Sequence, residues 1–292
     1  MKLIFSLVIL ILSSQSFAKS LALETSSFEE IQKKVYELGK KYGPKNVLVV
    51  LDIDNTVLKM NQDLGSDQWF TWQQDNCLGK EKHNFCVADN MSGLLLAQEK
   101  LFTLSNMSPT EDNAPQIVNE IQEKKYPLFL LTSRSSQYRN STERELKRNG
   151  YKIINPIGPK DGFPGNYIPY DLKNLKKSGI TKDELIVTKI KSARSVSYMN
   201  GVMMTSGLHK GIMLKTILNK TQFVPKAIIF ADDHIKHTKR MHEVFGNKKD
   251  IELVTYRYGK IDADVAKFKK SDKKEVIQAY ASLDKILGQI LK

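Results

Sequence analysis

The chain has 292 residues, 41% hydrophobic and 26% charged, which is ample for one large α/β domain with an insertion or for two small domains. Its formal charge of +13 suits anionic partners. The lysines nevertheless spread over residues 173–177, 189–191 and 267–274 without a dense arm, so solvated faces account for them and no specific nucleic-acid motif stands behind them.

Residues 1–18 join a charged start, Met1-Lys2, to an apolar stretch over residues 3–12 and small residues ending at Ala18. That order predicts a secretory signal peptide cut after Ala18, because a spanning helix needs about twenty apolar residues. Nothing later is long and apolar enough to span a membrane. The chain is expected to be exported, to a bacterial periplasm or beyond. Residues 26–41 then place Phe28, Ile31, Val35 and Leu38 at three- or four-residue spacing, with Glu29 and Glu30 in the first turn, predicting an amphipathic helix that Gly43-Pro44 ends.

The organising stretch follows at residues 46–58. Val47, Leu48, Val49, Val50 and Leu51 run without alternation, as a strand covered on both faces requires, and Asp52 and Asp54 come at its end. Ligands of open α/β sheets bind beyond the carboxyl ends of the strands. Two aspartates held close there raise one another's pKa unless a divalent metal, a basic side chain or a shared proton intervenes. Taken alone, Asp-Asn-Thr also suits an Asx-rich turn capping a helical turn.

Residues 59–114 break the β/α rhythm and read as an inserted cap. Trp69, Phe70 and Trp72 pack its core or wall the crevice, and residues 91–103 look helical. Cys77 and Cys86 predict a disulfide closing a polar loop in an oxidising compartment, with two reduced thiols as the alternative. Only His83 lies nearby, which does not make a zinc site.

Residues 113–125 read as a helix and 128–131 as a second buried strand, ending in Thr132-Ser133-Arg134. A hydroxyl there can bind an anionic oxygen, or simply cap the polar helix expected over residues 135–149. A third strand is expected at residues 151–154. Residues 156–207 are loop-rich, with an added hairpin formed by residues 186–190 and 196–204.

Lys210 stands before a helix over residues 212–219, and a further apolar strand at residues 227–231 ends in Asp232-Asp233. Paired aspartates closing two distant strands point to a hard divalent cation, with Lys210 as a neighbouring positive charge. A helix (236–245), a strand (251–256) and a C-terminal helix with Val276, Tyr280, Leu283, Leu287 and Ile290 on one face complete the chain as core and cover. His234, His237 and His242 do not share a face and read as surface or supporting residues.

Together these segments resemble the haloacid dehalogenase-like superfamily of hydrolases: Asp52-Ile53-Asp54-Asn55-Thr56, Thr132, Lys210 and Asp232-Asp233 stand for its four motifs in order. Residues 200–203, 209–211, 225–226 and 231–233 look more closely like exported bacterial members of unassigned role. The resemblance implies a three-layer Rossmann-like parallel sheet, with residues 19–58 and 115–292 as the core and 59–114 as a helical cap. It implies that Asp52 is a nucleophile, Asp54 an acid and then a base, and Thr132 and Lys210 charge-stabilising groups. Asn55, Thr56, Ser133 and Arg134 would bind the substrate. Mg²⁺ would be held by Asp52, the Asp54 carbonyl and Asp232, with Asp233 direct or through water. His234 and His237 stand where the family commonly has a further acid, which leaves the division between Asp232 and Asp233 open.

The expected function is a Mg²⁺-dependent phosphomonoesterase acting on a small phosphorylated substrate through an aspartyl-phosphate. The presence of Asp54 argues against dehalogenation, since a leaving halide needs no proton. The alternatives are a catalytically silent metal-binding protein and a basic envelope interaction protein.

Overall fold

The apolar run at residues 47–51 is wholly buried, and its side chains alternate between two cores. Val47, Val49 and Leu51 face one, while Leu48 and Val50 face the other. The computed structural model describes residues 20–80 and 83–290. The segment carrying the expected signal peptide lies outside the described residues.

In chain order the elements are β1 (Ser20–Thr25), α1 (Phe28–Tyr42), β2 (Val47–Leu51), β3 (Leu58–Met60), α2 (Asp67–Cys77), α3 (Met91–Leu104), β4 (Met107–Pro109), α4 (Ala114–Glu123) and β5 (Leu128–Thr132). They continue with α5 (Arg139–Arg148), α6 (Lys182–Thr188), β6 (Ser197–Met199), β7 (Val202–Met204), α7 (Lys210–Thr221), β8 (Ala227–Asp232), α8 (Ile235–Phe245), β9 (Glu252–Tyr258), α9 (Asp262–Lys270) and α10 (Lys274–Ile290).

Seven strands form one sheet in the order β1-β9-β8-β2-β5-β7-β6, and every pairing except β6 with β7 is parallel. Residues of α1 and α4 cover one face, and those of α7 and α8 cover the other. This is an α/β fold with a mostly parallel sheet between helical layers, consistent with a Rossmann-like three-layer arrangement. Because β2 lies between β5 and β8, the segments following three parallel strands meet at one carboxyl edge.

The expected third strand at residues 151–154 is not a strand. Its backbone donors are taken by side chains of α4, with Lys152 N donating to Asn119 Oδ1 (2.9 Å) and Ile154 N to Gln122 Oε1 (2.8 Å). β7 pairs with β5 instead. The hairpin comes from residues 197–204 alone, turning at Asn200 (φ 49°) and Gly201 (φ 69°), the left-handed pair a tight Asn-Gly turn requires. Residues 186–188, expected as a strand, belong to α6, which starts with a Thr181–Glu184 capping box. The edge strand β1 and helix α9 have no counterpart among the predicted elements.

The short antiparallel pair of β3 and β4 carries the chain out of the sheet and back, and α2 and α3 lie between them. Ser66 Oγ accepts from Trp69 N at the start of α2, and Asn90 Oδ1 accepts from Gly93 N at the start of α3. Trp69, Leu94 and Leu101 pack with Phe268 of α9, against Val276, Tyr280 and Leu283 of α10. The C-terminal helices thus cover the inserted segment. α5 grips its far end, where Glu145 Oε2 accepts from Met107 N and Arg144 donates to the carbonyls of Phe102 and Ser105.

Cys77 and Cys86 form a disulfide at the end of α2. Among the described residues no helix is long and apolar enough to cross a membrane. Because the bridge closes a short loop, Cys77→Ser with Cys86→Ser is expected to lower the unfolding free energy by about 2–3 kcal/mol. Urea titration of the oxidised protein and the double variant checks this.

Candidate functional site

Adjacent parallel strands in register put side chains at equal heights. β2 and β8 pair Leu51 with Ala231, so Asp52 and Asp232 emerge side by side, and Asp52 N donates to Ala231 O at 2.9 Å. Lys210 Nζ lies 2.6 Å from Asp52 Oδ1 and 2.6 Å from Asp232 Oδ2. All three residues are buried, at 1% exposure for Lys210, 4% for Asp52 and 0% for Asp232.

Lys210 is the first residue of α7, where the helix dipole disfavours a cation. Burial also works against its charge, but Asp232 and Asp52 outweigh it and hold its pKa above the ordinary lysine value. His209 caps the helix, its Nδ1 accepting from Ile212 N (3.2 Å) while Nε2 lies 2.7 Å from Glu243 Oε2. This fixes the turn that aims Lys210 inward.

Carboxylate oxygens of Asp52, Asp232 and Asp233 lie within 4.8 Å of one another. Asp233 Oδ1 is buried and accepts no hydrogen bond. The pKa of Asp52 is pushed up to about 7 by burial and then by the Asp232 charge, against the pull of Lys210. Burial likewise raises Asp232, and it raises Asp233 well above the ordinary range. Three crowded carboxylates with one ammonium lack positive charge, and one oxygen lacks any donor. A hard divalent cation such as Mg²⁺ fits this all-oxygen set.

Of the other expected residues, Thr56 is fully buried, and its Oγ1 accepts from Asp233 N (3.1 Å), so it holds the acidic turn. The amides of Thr56, Val57 and Leu58 all donate to Ile53 O, closing the turn that follows the first two aspartates. Asn55 adopts φ 53° and is 4% exposed, with its Nδ2 unpartnered. Thr132 is fully buried beside the cluster's strand end, and its Oγ1 accepts from Arg134 N (3.1 Å). Ser133 lines a small apolar cavity with Asp54, Phe70, Leu95 and Phe102.

Arg134, expected at the substrate, spends its donors inside the protein. Nε and Nη2 donate to Asp54 Oδ2 (3.0 Å) and Oδ1 (2.7 Å), and Nη1 donates to Thr142 Oγ1 (2.8 Å). The carboxylate of Asp54 is held by Arg134 and is not one of the three grouped aspartates. Its expected metal contact is through its carbonyl, which this leaves untouched.

A cleft of about 450 Å³ opens beside the cluster, lined among others by Asn55, Asp67, Trp72, Asp233, Arg257 and Phe268. A second, of about 500 Å³, shares Asn55, Gln68 and Phe268 with it. His234 joins roof to floor, its Nε2 3.0 Å from Asp67 Oδ2 and its backbone N donating to Asp232 Oδ1 (2.9 Å). The Asp67 hydrogen bond, outweighing burial, pushes the pKa of His234 up to about 10. His242 bonds Ser20 and Thr255, tying β1 to β9 far from this chemistry. Sequence spacing singled out none of Asp67, Arg257, Gln68 or Phe268 for the site, and their only signal is position in the inserted segment and the C-terminal third.

The model of one protein family matches residues 24–290. The chain belongs to DUF2608, a family of proteins of unknown function. No curated protein matches it. This corrects the resemblance to the haloacid dehalogenase-like superfamily: the family that matches almost the whole chain is DUF2608, which brings no activity with it. The motif segments of this DUF2608 chain converge, but short motifs shared in order do not establish membership.

For an acid whose folded pKa is raised, charging costs stability as pH rises from the unfolded pKa towards the folded one. Asp233→Asn removes such a charge. Without divalent cations it is expected to stabilise the fold relative to the parent, seen as a higher thermal midpoint, by on the order of 1 kcal/mol or more at pH 7.5 and near zero at pH 4. The same variant should lose most of the midpoint increase that Mg²⁺ gives the parent. Thermal melts in chelator and in Mg²⁺ at both pH values test this.

Proposed function

We propose that the protein is a divalent-metal-dependent phosphomonoesterase that works through a phosphorylated Asp52. The observation that carries this reading is the buried Asp52 carboxylate held 2.6 Å from Lys210 Nζ, with Asp232 and Asp233 oxygens within 4.8 Å and a cleft opening beside them.

A carboxylate attacking a phosphate dianion meets repulsion, so the site must supply positive charge where the transferring oxygens sit. Lys210 does so from a fixed position, since its ammonium lies 2.6 Å from both Asp52 Oδ1 and Asp232 Oδ2. Asp52, Asp232 and Asp233 would hold Mg²⁺, which supplies Lewis-acid neutralisation of the phosphoryl oxygens when bound. A free oxygen of Asp52 attacks phosphorus, and the ester P–O bond breaks with its electron pair leaving on the alcohol oxygen. Water then attacks the same phosphorus, breaking the bond to Asp52 and releasing inorganic phosphate. Thr132, at the end of the strand paired with β2, and Asn55, which lines the cleft with Asp233 and whose Nδ2 is unpartnered, are the neutral donors available for the phosphoryl oxygens.

The Cys77–Cys86 disulfide and the N-terminal sequence pattern support an oxidising compartment outside the cytoplasm as the place of action.

With Mg²⁺ the protein is expected to hydrolyse 4-nitrophenyl phosphate, and Asp52→Asn is expected to reduce kcat by at least about 10³-fold while keeping the fold. Acid quenching during turnover should trap phosphate on the peptide carrying Asp52. Undiminished hydrolysis in Asp52→Asn sinks the nucleophile assignment. Absence of turnover across a broad ester panel, with Mg²⁺ still raising the thermal midpoint, leaves a metal-binding protein without catalysis.

A further inference from the structure

This inference rests on the phosphomonoesterase reading and narrows its substrates. The two clefts beside the cluster join at Asn55, Gln68 and Phe268, which line both. Asp233 and His234 line the first, so that cleft takes the phosphoryl end of an ester. None of the three grouped aspartates lines the second, whose volume of about 500 Å³ leaves room for the alcohol part.

The second cleft is polar and electrically balanced. Its charged residues are two lysines, Lys59 and Lys267, and two aspartates, Asp63 and Asp264. Lys59 of β3 and Asp264 of α9 pair at 3.2 Å. Such a wall has no excess charge to draw in a second phosphate or a cation. It nevertheless has hydrogen bonds to give: among the described residues, the side chains of Asn61, Asp63 and Lys267 have no hydrogen-bond or ion-pair partner. Where the clefts join, Asn55 Nδ2 and Gln68 Oε1 are buried and unpartnered as well. A buried polar atom without a partner costs stability, and a ligand that pairs with it removes that cost. Hydroxyl groups both donate and accept, so a row of them suits this mixture of amides, carboxylate and ammonium, whereas an alkyl chain would leave it unpaired.

We infer that the second cleft is the subsite for a polyhydroxylated alcohol, that the substrate is accordingly the phosphate monoester of a sugar or polyol, and that Gln68 selects for its hydroxyls. Asn55 serves the phosphoryl oxygens at the junction, and Gln68 meets a hydroxyl of the part that lies beyond it. The bonds made and broken at phosphorus are those already given for the phosphomonoesterase. The inference concerns only what the departing oxygen carries.

The test compares esters matched in size but not in hydroxyls. The Mg²⁺-loaded protein is assayed with glucose 6-phosphate against cyclohexylmethyl phosphate, and with glucitol 6-phosphate against hexyl phosphate; the better of the two hydroxylated esters tells a ring sugar from an open-chain polyol. At least one hydroxylated ester is expected to exceed its alkyl partner in kcat/KM by about 10²-fold or more, because a site that pairs with hydroxyls rejects an analogue lacking them. Gln68→Met, of equal length but without hydrogen bonding, and Asn61→Leu at the exposed side of the cleft are each expected to narrow that ratio by about tenfold or more. A merely structural role would lower all rates together and leave the ratio unchanged, which overturns the assignment to this cleft. Equal rates within both pairs in the parent overturn the inference and leave the phosphomonoesterase reading in place. Thermal midpoints with each ester in Mg²⁺ separate the remaining cases. If no ester is hydrolysed but a hydroxylated one raises the midpoint more than its alkyl partner, the phosphomonoesterase reading falls and the subsite stands. If none is hydrolysed and the midpoints do not differ, both fall.

Discussion

An ammonium group buried between two carboxylates from adjacent strands is the interaction on which the rest of the site depends. Lys210 at the head of α7 is disfavoured both by desolvation and by the helix dipole, and Asp52 and Asp232 would repel one another without it. Each member is tolerable because of the other two. The triad therefore fixes α7 against the carboxyl edge of the sheet and brings the Asp233 turn, tied in turn to Thr56, to the same spot. One ammonium against three carboxylates leaves the cluster short of positive charge, the feature a divalent cation or a phosphoryl group with its cation would relieve.

The segment above the cluster is anchored from several sides. β3 and β4 tie its two ends together, α5 holds its carbonyls through Arg144, and α9 and α10 add Phe268, Val276, Tyr280 and Leu283 to its apolar core. At the site itself the His234–Asp67 pair joins the first turn of α2 to the loop that carries Asp232 and Asp233. Charge and packing thus work together: the same helix that presents Asp67 buries Trp69 and carries Trp72 to the cleft wall. A roof held in this way shapes the cleft before any ligand arrives, and preorganisation lowers the ordering cost of binding.

Charged groups beside the cluster are paired in ways that limit their chemistry. Arg257 donates to the Asp233 carbonyl and to Asp262, so it braces the turn that carries Asp233. Arg134 does the same for Asp54. Side chains that look catalytic by residue type are positioned by partners contributed from distant segments. The membership in DUF2608 makes the same point at the level of the whole chain, since motif order alone pointed to a different family.

Local pattern was enough for the sheet's centre. An unbroken apolar run must be covered on both faces, so β2, β5 and β8 were legible, as were the acids that end β2 and β8, the amphipathic α1 and the Cys77–Cys86 pair. Elements whose backbone donors had competing partners were not: residues 151–154 read as a strand until Asn119 and Gln122 claim their amides, and a single capping box makes a helix of residues 182–188. By itself the sequence determined which residues had to be buried and which acids had to emerge at the ends of strands, because those follow from periodicity and desolvation within a few residues. Only the tertiary structure decided that Arg134 belongs to Asp54, that Asp67 belongs to His234 and that the last two helices cover the inserted segment. Each of these is a contact between residues 80 or more positions apart, whose pairing is set by how helices and strands stack and by no pattern along the chain.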